Sequence, residues 1–247
     1  MVFSVRLVDP ISREITGDDF VGSVVQGNTL ELLFSREFGS YDSLQITTKL
    51  PAGFSTKVVT DLEVIRVLIT VPPNAQNGSY DFGVNLLGKN KKSEAKMYFI
   101  VDDSLVDASL NNYSSESFVD SESRYSFLLV NDSDADAKFT IENNLPWTWV
   151  VKDWVGCVNC QNVKTEVVVG KNSSQSVELI VYPRVAGQSV FNATVTLSPS
   201  KTKEFSLLLS SNHTLKSRIE SVLFGFPFYS FSLLPSISLN GLFASFG

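Results

Sequence analysis

The sequence predicts an all-β protein made of two tandem β-sandwiches, followed by a short helix and an apolar C-terminal segment. Short runs that alternate apolar and polar residues fill most of residues 3–211, as half-buried strands do. Gly, Pro, Asn and Ser separate these runs, and helical periodicity is weak throughout. A chain of 247 residues also has the length of two ordinary domains. These observations favour two sandwiches over one large domain.

The first module spans residues 1–103 and contains about seven predicted strands. Apolar residues alternate from Phe3 to Leu7, before Asp9-Pro10 ends the first strand. Gly, Pro or Asn bounds the later runs. The other predicted strands are residues 20–25, 29–34, 44–48, 64–71, 79–87 and 95–101. About seven strands in about a hundred residues is typical of an immunoglobulin-like sandwich.

Residues 104–211 predict a second immunoglobulin-like sandwich with a similar number of strands. We place the boundary near Asp103, because residues 102–123 become rich in Ser, Asp and Asn. The predicted strands are residues 125–130, 138–142, 147–154, 163–169, 175–181, 188–197 and 203–209.

Residues 212–247 predict a short helix that leads into an apolar tail. Leu215, Ile219 and Val222 recur at the i, i+4 and i+7 positions of a helix face. The stretch 221–247 has no charged residue and is long enough to cross a bilayer. Two prolines interrupt it and no positive charge follows it, so burial against a partner protein is the alternative to membrane insertion.

The second module resembles a known class of surface domain. The stretches YSFLLVNDSDADAKFTIENNLPWTWVV and VVVGKNSSQSVELIVYPRVAGQSVFNATVTL are similar to immunoglobulin-like modules of archaeal and bacterial surface proteins. Asn131 falls in the turn before a strand, Trp147 in the core position, and Pro183 and Gly187 in the turn before the penultimate strand. QGNTLELLF and PPNAQNGSYDFGVNL give the first module a similar pattern. The resemblance implies this fold and a surface location, and it implies no catalytic residue.

The charge of the chain argues against nucleic acid as a partner. The net charge is −6 and the pI is about 4.9. Nucleic-acid binding depends on Lys and Arg displacing counterions from phosphates, and no basic stripe with interleaved aromatic residues occurs. We therefore expect no nucleic-acid partner.

Two sets of residues predict an extracytoplasmic location. Cys157 and Cys160 are the only cysteines, and a close pair outside the cytoplasm can form a disulfide. Reduced structural thiols, a zinc site and a redox site are the alternatives. Zinc needs four ligands and the chain has one histidine, while a redox pair belongs at a helix N-terminus. The second set comprises six glycosylation sequons, at Asn77, Asn112, Asn131, Asn172, Asn192 and Asn212.

The start of the chain bears on the same expectation. No signal peptide precedes the first predicted strand. We therefore expect a mature chain whose leader has been trimmed and whose Met1 is added or misassigned.

No catalytic constellation is evident in the sequence. A Ser-His-Asp arrangement would have to use His213, which lies at the predicted exit to the apolar tail rather than in a cleft. Neighbouring carboxylates such as Asp18-Asp19 and Asp102-Asp103 are typical of turns. We expect a protein that is not an enzyme and that holds no cofactor.

Two acidic clusters raise the question of calcium. Asp132, Asp134 and Asp136 have the alternate spacing of a calcium loop, but Ala137 and Asn143 stand where an EF-hand requires Gly and Glu. A polar hairpin turn is the favoured interpretation. The linker acids, which could bridge the modules through calcium, are Asp102, Asp103 and Asp107.

Three tryptophans are candidates for stacking on sugar rings. Trp147 and Trp149 share a strand face by alternation, and Trp147 after Pro146 is the favoured core residue. Trp149 and Trp154 remain as residues that could stack on a sugar.

These observations predict a non-enzymatic protein of the extracellular side or cell envelope. We expect a structural, adhesive or accessory interaction module, associated with the membrane through residues 221–247 and with protein partners in the envelope. Homo-oligomers fit this expectation. The alternatives are a carbohydrate-binding module pair, or a filament subunit assembled by strand addition.

Overall fold

The computed structural model describes residues 5–36, 42–47, 50–88, 91–144, 149–151 and 164–214. In these ranges the secondary structure consists of strands and one short 3-10 turn, so the prediction of an all-β fold is confirmed. No helix in the described ranges is long and apolar enough to cross a membrane. The predicted helix near 215–222 and the apolar stretch 221–247 lie outside the described residues.

Among the described residues, nine strands form the first sandwich. They are β1 (Val5–Asp9), β2 (Arg13–Ile15), β3 (Asp19–Val24), β4 (Thr29–Ser35), β5 (Ser43–Ile46), β6 (Ser55–Thr60), β7 (Val64–Thr70), β8 (Gly78–Gly88) and β9 (Lys91–Val101). One sheet has the strand order β2-β1-β4-β7-β6 and the other has the order β3-β9-β8-β5. The pairing of β3 with β9 is parallel, whereas β4 with β7 and β8 with β9 are antiparallel.

Strand alternation builds the first core in the way the sequence predicts. In β4, Leu30, Leu32 and Phe34 are buried while the residues between them face outward. Phe82 and Phe99 from the opposite sheet meet in an edge-to-face contact with their ring centroids 6.0 Å apart. The two sheets therefore share one apolar layer.

In the part of the second sandwich that the structure describes, there are nine further strands. They are β10 (Val106–Leu110), β11 (Ser114–Phe118), β12 (Ser123–Asn131), β13 (Ala137–Asn143), β14 (Trp149–Val151), β15 (Thr165–Val169), β16 (Ser173–Val181), β17 (Gly187–Ser198) and β18 (Lys201–Asn212). The sheets have the orders β10-β12-β16-β14 and β11-β18-β17-β13-β15. Here β11 runs parallel to β18.

A buried tyrosine joins the two sheets of the second sandwich. The Tyr125 ring lies edge-on to Phe191 at 5.4 Å, and its hydroxyl donates a hydrogen bond of 2.9 Å to the Leu208 carbonyl. Burial raises the pKa of Tyr125 well above its usual range. The phenol therefore stays neutral and acts as a fixed donor inside the core.

Four strands lie where the sequence predicted none. They are β2, β6, β10 and β11. β6 is an edge strand whose residues are mostly exposed, and β11 has the polar sequence SSESF. Neither shows the apolar alternation that the other strands show, because an edge strand can be held by backbone pairing alone.

The connection between the sandwiches is short. β9 ends at Val101, and β10 begins at Val106 after the 3-10 turn Asp103–Leu105. The Asp102 side chain caps this turn by accepting a hydrogen bond from the Ser104 amide. Asp103, near which the sequence analysis places a boundary, lies in this turn.

Candidate functional site

Each sandwich contributes one residue to the hydrophobic core of the other. Val25, just after β3, is fully buried in the core of the second sandwich. Ala135, just before β13, is buried in the core of the first sandwich. Because each insertion removes apolar surface from water only while the sandwiches are in contact, it favours one fixed arrangement of the pair.

The Asp134 carboxylate of the second sandwich forms hydrogen bonds with Ser23 of the first sandwich, close to these two insertions. One Asp134 oxygen accepts hydrogen bonds from the Ser23 amide at 2.8 Å and the Ser23 hydroxyl at 3.0 Å. The Asp134 amide donates back to the Ser23 carbonyl at 2.9 Å. The other Asp134 oxygen accepts from the Asn172 side chain. Charge-assisted bonds of this kind are stronger than neutral ones.

Further polar contacts surround this bond. Lys171 of the second sandwich forms an ion pair with Asp9 of the first. Asn77 donates to Asp103 at 2.8 Å, and Ser200 donates to the other Asp103 oxygen at 3.2 Å. Residues of both sandwiches therefore form hydrogen bonds with the turn that connects them.

A glycine permits the close approach of the two sandwiches. Gly27 has a φ of +80°, and an added Cβ there would lie 3.2 Å from the ring of Pro199. Both the backbone conformation and the space favour glycine. We refer to the contacts of Ser23, Val25, Gly27, Asp134 and Ala135 as the junction.

Most of the acidic residues weighed as calcium ligands take part in hydrogen bonds or ion pairs with described residues. Asp134 belongs to the junction, and Asp136 accepts a hydrogen bond from the Lys171 amide. Asp103 is held by Asn77 and Ser200, and Asp107 forms an ion pair with Lys203. The described part of the chain contains no group of three or more His, Cys, Asp or Glu side chains placed to hold a metal ion.

The six sequons occupy different environments. The Asn131 side chain is fully buried, and its amide donates to three backbone carbonyls, so a glycan on this nitrogen would require the loss of all three bonds. The amide groups of three other sequons donate hydrogen bonds, at Asn77, Asn112 and Asn172. Asn192 and Asn212 are exposed on β17 and β18.

If the chain is glycosylated, we expect glycans at Asn192 and Asn212 and none at Asn131. A glycan needs an accessible amide nitrogen. Of the six sequons, Asn192 and Asn212 are the ones that are exposed and whose side-chain amides donate no hydrogen bond to a described residue. Peptide mass spectrometry of the native protein, with and without enzymatic deglycosylation, measures the occupancy of each site. A glycan on Asn131 in the folded protein would contradict the expectation.

An open groove lies on the outer face of the first sandwich. Gly83 on β8 pairs with Lys96 on β9, and Asp81 pairs with Tyr98, at positions that alternate with the buried Phe82 and Met97. Gly83 is itself buried and lines a depression between these side chains. The depression has a volume of about 330 Å³, and its lining consists of Asp18, Asp81, Phe82, Gly83, Glu94, Lys96, Met97 and Tyr98.

Asp19 fixes the segment that forms one rim of the groove. Its carboxylate accepts hydrogen bonds from the amides of Thr16 and Gly17 and forms an ion pair with Arg13. Burial raises the pKa of Asp19, but these three partners outweigh burial and lower the pKa below its usual value. The neighbouring Asp18 is thereby held at the groove.

We expect Asp19→Asn to weaken the dependence of stability on acid pH. A carboxyl whose folded pKa is depressed stabilises the fold above its unfolded pKa of about 3.9, and this contribution is lost as the pH falls through the folded value. Urea unfolding between pH 2 and about pH 6 measures the effect. The difference between wild type and variant should be largest near neutral pH and shrink below about pH 4. A constant difference would contradict the assignment.

Several predicted site residues cannot be placed. Cys157, Cys160 and Trp154 lie outside the described residues. The Trp149 backbone pairs with Val181 at the edge of a sheet. His213 is exposed directly after β18.

The strand connections decide the type of sandwich. In each sandwich the chain begins in one sheet, crosses to the other, and there pairs parallel to the last strand. The fold is immunoglobulin-like. No protein-family model and no curated protein matches the chain.

Solved structures with some likeness belong to several kinds of protein. A chimeric titin Z1Z2 is 13% identical with a TM-score of 0.40, over 86% of this chain and 98% of that one. The adhesin InvE of Yersinia pseudotuberculosis is 10% identical with a TM-score of 0.32, over 76% of this chain and 56% of that one.

An endo-fucoidan hydrolase of glycoside hydrolase family 107 is 14% identical with a TM-score of 0.38, over 81% of this chain. The chain spans 28% of the length of that hydrolase. Likenesses at this level carry no argument about the fold or the activity of this chain.

Proposed function

We propose that the chain is a non-enzymatic interaction module of the cell envelope, in which two immunoglobulin-like sandwiches act as one rigid unit. The junction is the observation that carries the proposal. Inter-domain contacts that allow free motion are small and polar, whereas here each core contains a residue of the other sandwich. A pair fixed in this way presents its loops and sheet faces at a constant distance and angle, as a structural, adhesive or accessory component requires.

We further propose that the protein lies on the extracytoplasmic side and associates with the membrane through residues 221–247. The absence of charged residues from this stretch supports the association. The exposed sequons at Asn192 and Asn212, and the pair of cysteines, support the location. β18 ends at the side of the second sandwich opposite the junction, so the tail would hold the unit by one end.

Fractionation of cells that express the full chain tests the proposal. The protein should remain in the membrane fraction after high-salt and carbonate washes, and a membrane-impermeant amine reagent should label it on intact cells. A variant with Leu233→Lys and Leu234→Lys should be released, because charges in the middle of the apolar stretch oppose insertion. The matched control is Lys substitution of two exposed residues, Leu62 and Val190, which should leave the protein in the membrane.

Release of the wild-type chain by carbonate, or labelling only after lysis, would overturn the proposed location. Retention of the tail variant together with the wild type would overturn the role of residues 221–247.

A further inference from the structure

The groove on the first sandwich combines a defined depression with an aromatic wall. Tyr98 is half-buried, and its ring packs against Phe20 with their centroids 5.7 Å apart. The phenol side chain is therefore held in place while it lines the groove. A fixed aromatic ring offers an apolar face at little cost in conformational entropy.

The charged groups of the groove are unused by the fold. Among the described residues, the side chains of Asp81, Glu94 and Lys96 form no hydrogen bond and no ion pair. Elsewhere on the same sandwich Arg13 and Arg66 pair with carboxylates. Acceptors and a donor thus converge on one depression without neutralising one another, which is the arrangement of a site whose partner is a ligand.

The mixture of charges restricts the class of ligand. Three carboxylates, with Asp18 as the third, would repel an anion, and the Lys96 ammonium would offset part of their attraction for a cation. A neutral polyhydroxyl ligand suits both, because each hydroxyl can donate to a carboxylate and accept from an ammonium. Its apolar ring face can also pack on Tyr98.

We propose that the groove lined by Asp81, Gly83, Glu94, Lys96 and Tyr98 binds a neutral sugar unit. The volume of about 330 Å³ is at the lower end of the range for ligand sites and suits one or two sugar rings. This site lies on the first sandwich, whereas the Trp149 backbone belongs to the second, and the proposal does not depend on how the chain is attached to the envelope.

Titration of the isotope-labelled full chain tests the site by NMR. The probes are the methyl glycosides of glucose, galactose, mannose and N-acetylglucosamine. At least one of them should shift the amide signals of residues 81–83 and 96–98 in a saturable manner. Asp81→Asn and Tyr98→Leu should each weaken this binding about tenfold, because each removes one main contact. Glu116→Gln, an exposed change on the second sandwich, should leave it unchanged.

Two further probes distinguish the alternatives. Spermidine represents a cationic ligand and dextran sulfate an anionic one. Stronger saturable shifts of the same amides by either probe would overturn the proposal, and so would a sugar response confined to other residues. Absence of any response to the four glycosides would overturn it as well. Spectra of the two groove variants that match the wild type outside the groove show that the variants are folded.

Discussion

Asn131→Asp is expected to lower the free energy of unfolding by more than about 3 kcal/mol. The Asn131 amide donates to the carbonyl oxygens of Ala135, Val169 and Gly170 at 2.9, 3.1 and 2.9 Å. Its own carbonyl accepts from the Ser133 amide and hydroxyl. A carboxylate has the same shape but no amide donors, so three buried carbonyls would face a buried negative charge. The loop that carries Ala135 into the first core would lose its support.

Urea denaturation at neutral pH measures this effect. The matched control is Asn192→Asp, which makes the same chemical change at an exposed position of the same sandwich and should stay within about 0.5 kcal/mol of wild type. If Asn131→Asp were as stable as this control, the buried network would not support the fold. Partial recovery below about pH 4, where the carboxyl is protonated, would identify the buried charge as part of the cause.

Val25→Asp is expected to detach the sandwiches from each other and to destabilise the second by at least about 3 kcal/mol. Val25 is fully buried in a core that is otherwise built by the second sandwich. A carboxylate cannot remain there, so the segment after β3 must withdraw and leave a cavity. The neighbouring bond between Ser23 and Asp134 depends on the same segment and should be lost with it.

Differential scanning calorimetry and small-angle X-ray scattering report the two consequences. The wild type should unfold in one transition and have one fixed shape, whereas the variant should show two transitions and a broader distribution of distances. Val190→Asp is the control, because Val190 is 70% exposed and the substitution is the same. A single transition in Val25→Asp at the wild-type temperature would contradict the coupling that the junction implies.

The sequence predicted the fold well where a strand buries one face. The alternation of Leu30, Leu32 and Phe34 in β4 is visible without a structure, and so is the alternation in β12. Alternation did not predict the strand Ser114–Phe118, because this strand is polar and is placed by backbone pairing with β18. No local pattern records a partner that lies about ninety residues further along the chain.

The junction could not be predicted for a similar reason. The acidic stretch around Asp134 stands out in the sequence, and its spacing raised the question of calcium. Its main partner is Ser23, which is 111 residues away, so the spacing within the loop is unrelated to its use. Asn131 illustrates the same limit, since a sequon describes three consecutive residues and cannot show that the amide is enclosed by the turn before β13 and the end of β15.

The groove on the first sandwich could be predicted from the sequence only in part. Alternation places Asp81 and Gly83 on one face of β8, and Lys96 and Tyr98 on one face of β9. The register that sets Gly83 beside Lys96 comes from the pairing of the two strands, which single-strand patterns do not fix. The sequence therefore shows which residues share a face of each strand, but it does not show which residues of β8 and β9 lie beside one another.

The parallel pairs at the start and end of each sandwich have a mechanical consequence. Tension applied between the two ends of the chain would first reach β1 in the first sandwich and β10 in the second. Once those strands had detached, it would act across the pairs β3 with β9 and β11 with β18. Because the strands of each pair point the same way, the load would act along them and strain all their hydrogen bonds together rather than peel them apart one by one. The two parallel pairs are therefore expected to resist pulling along the strands more strongly than the antiparallel pairs at β1 and β10 do.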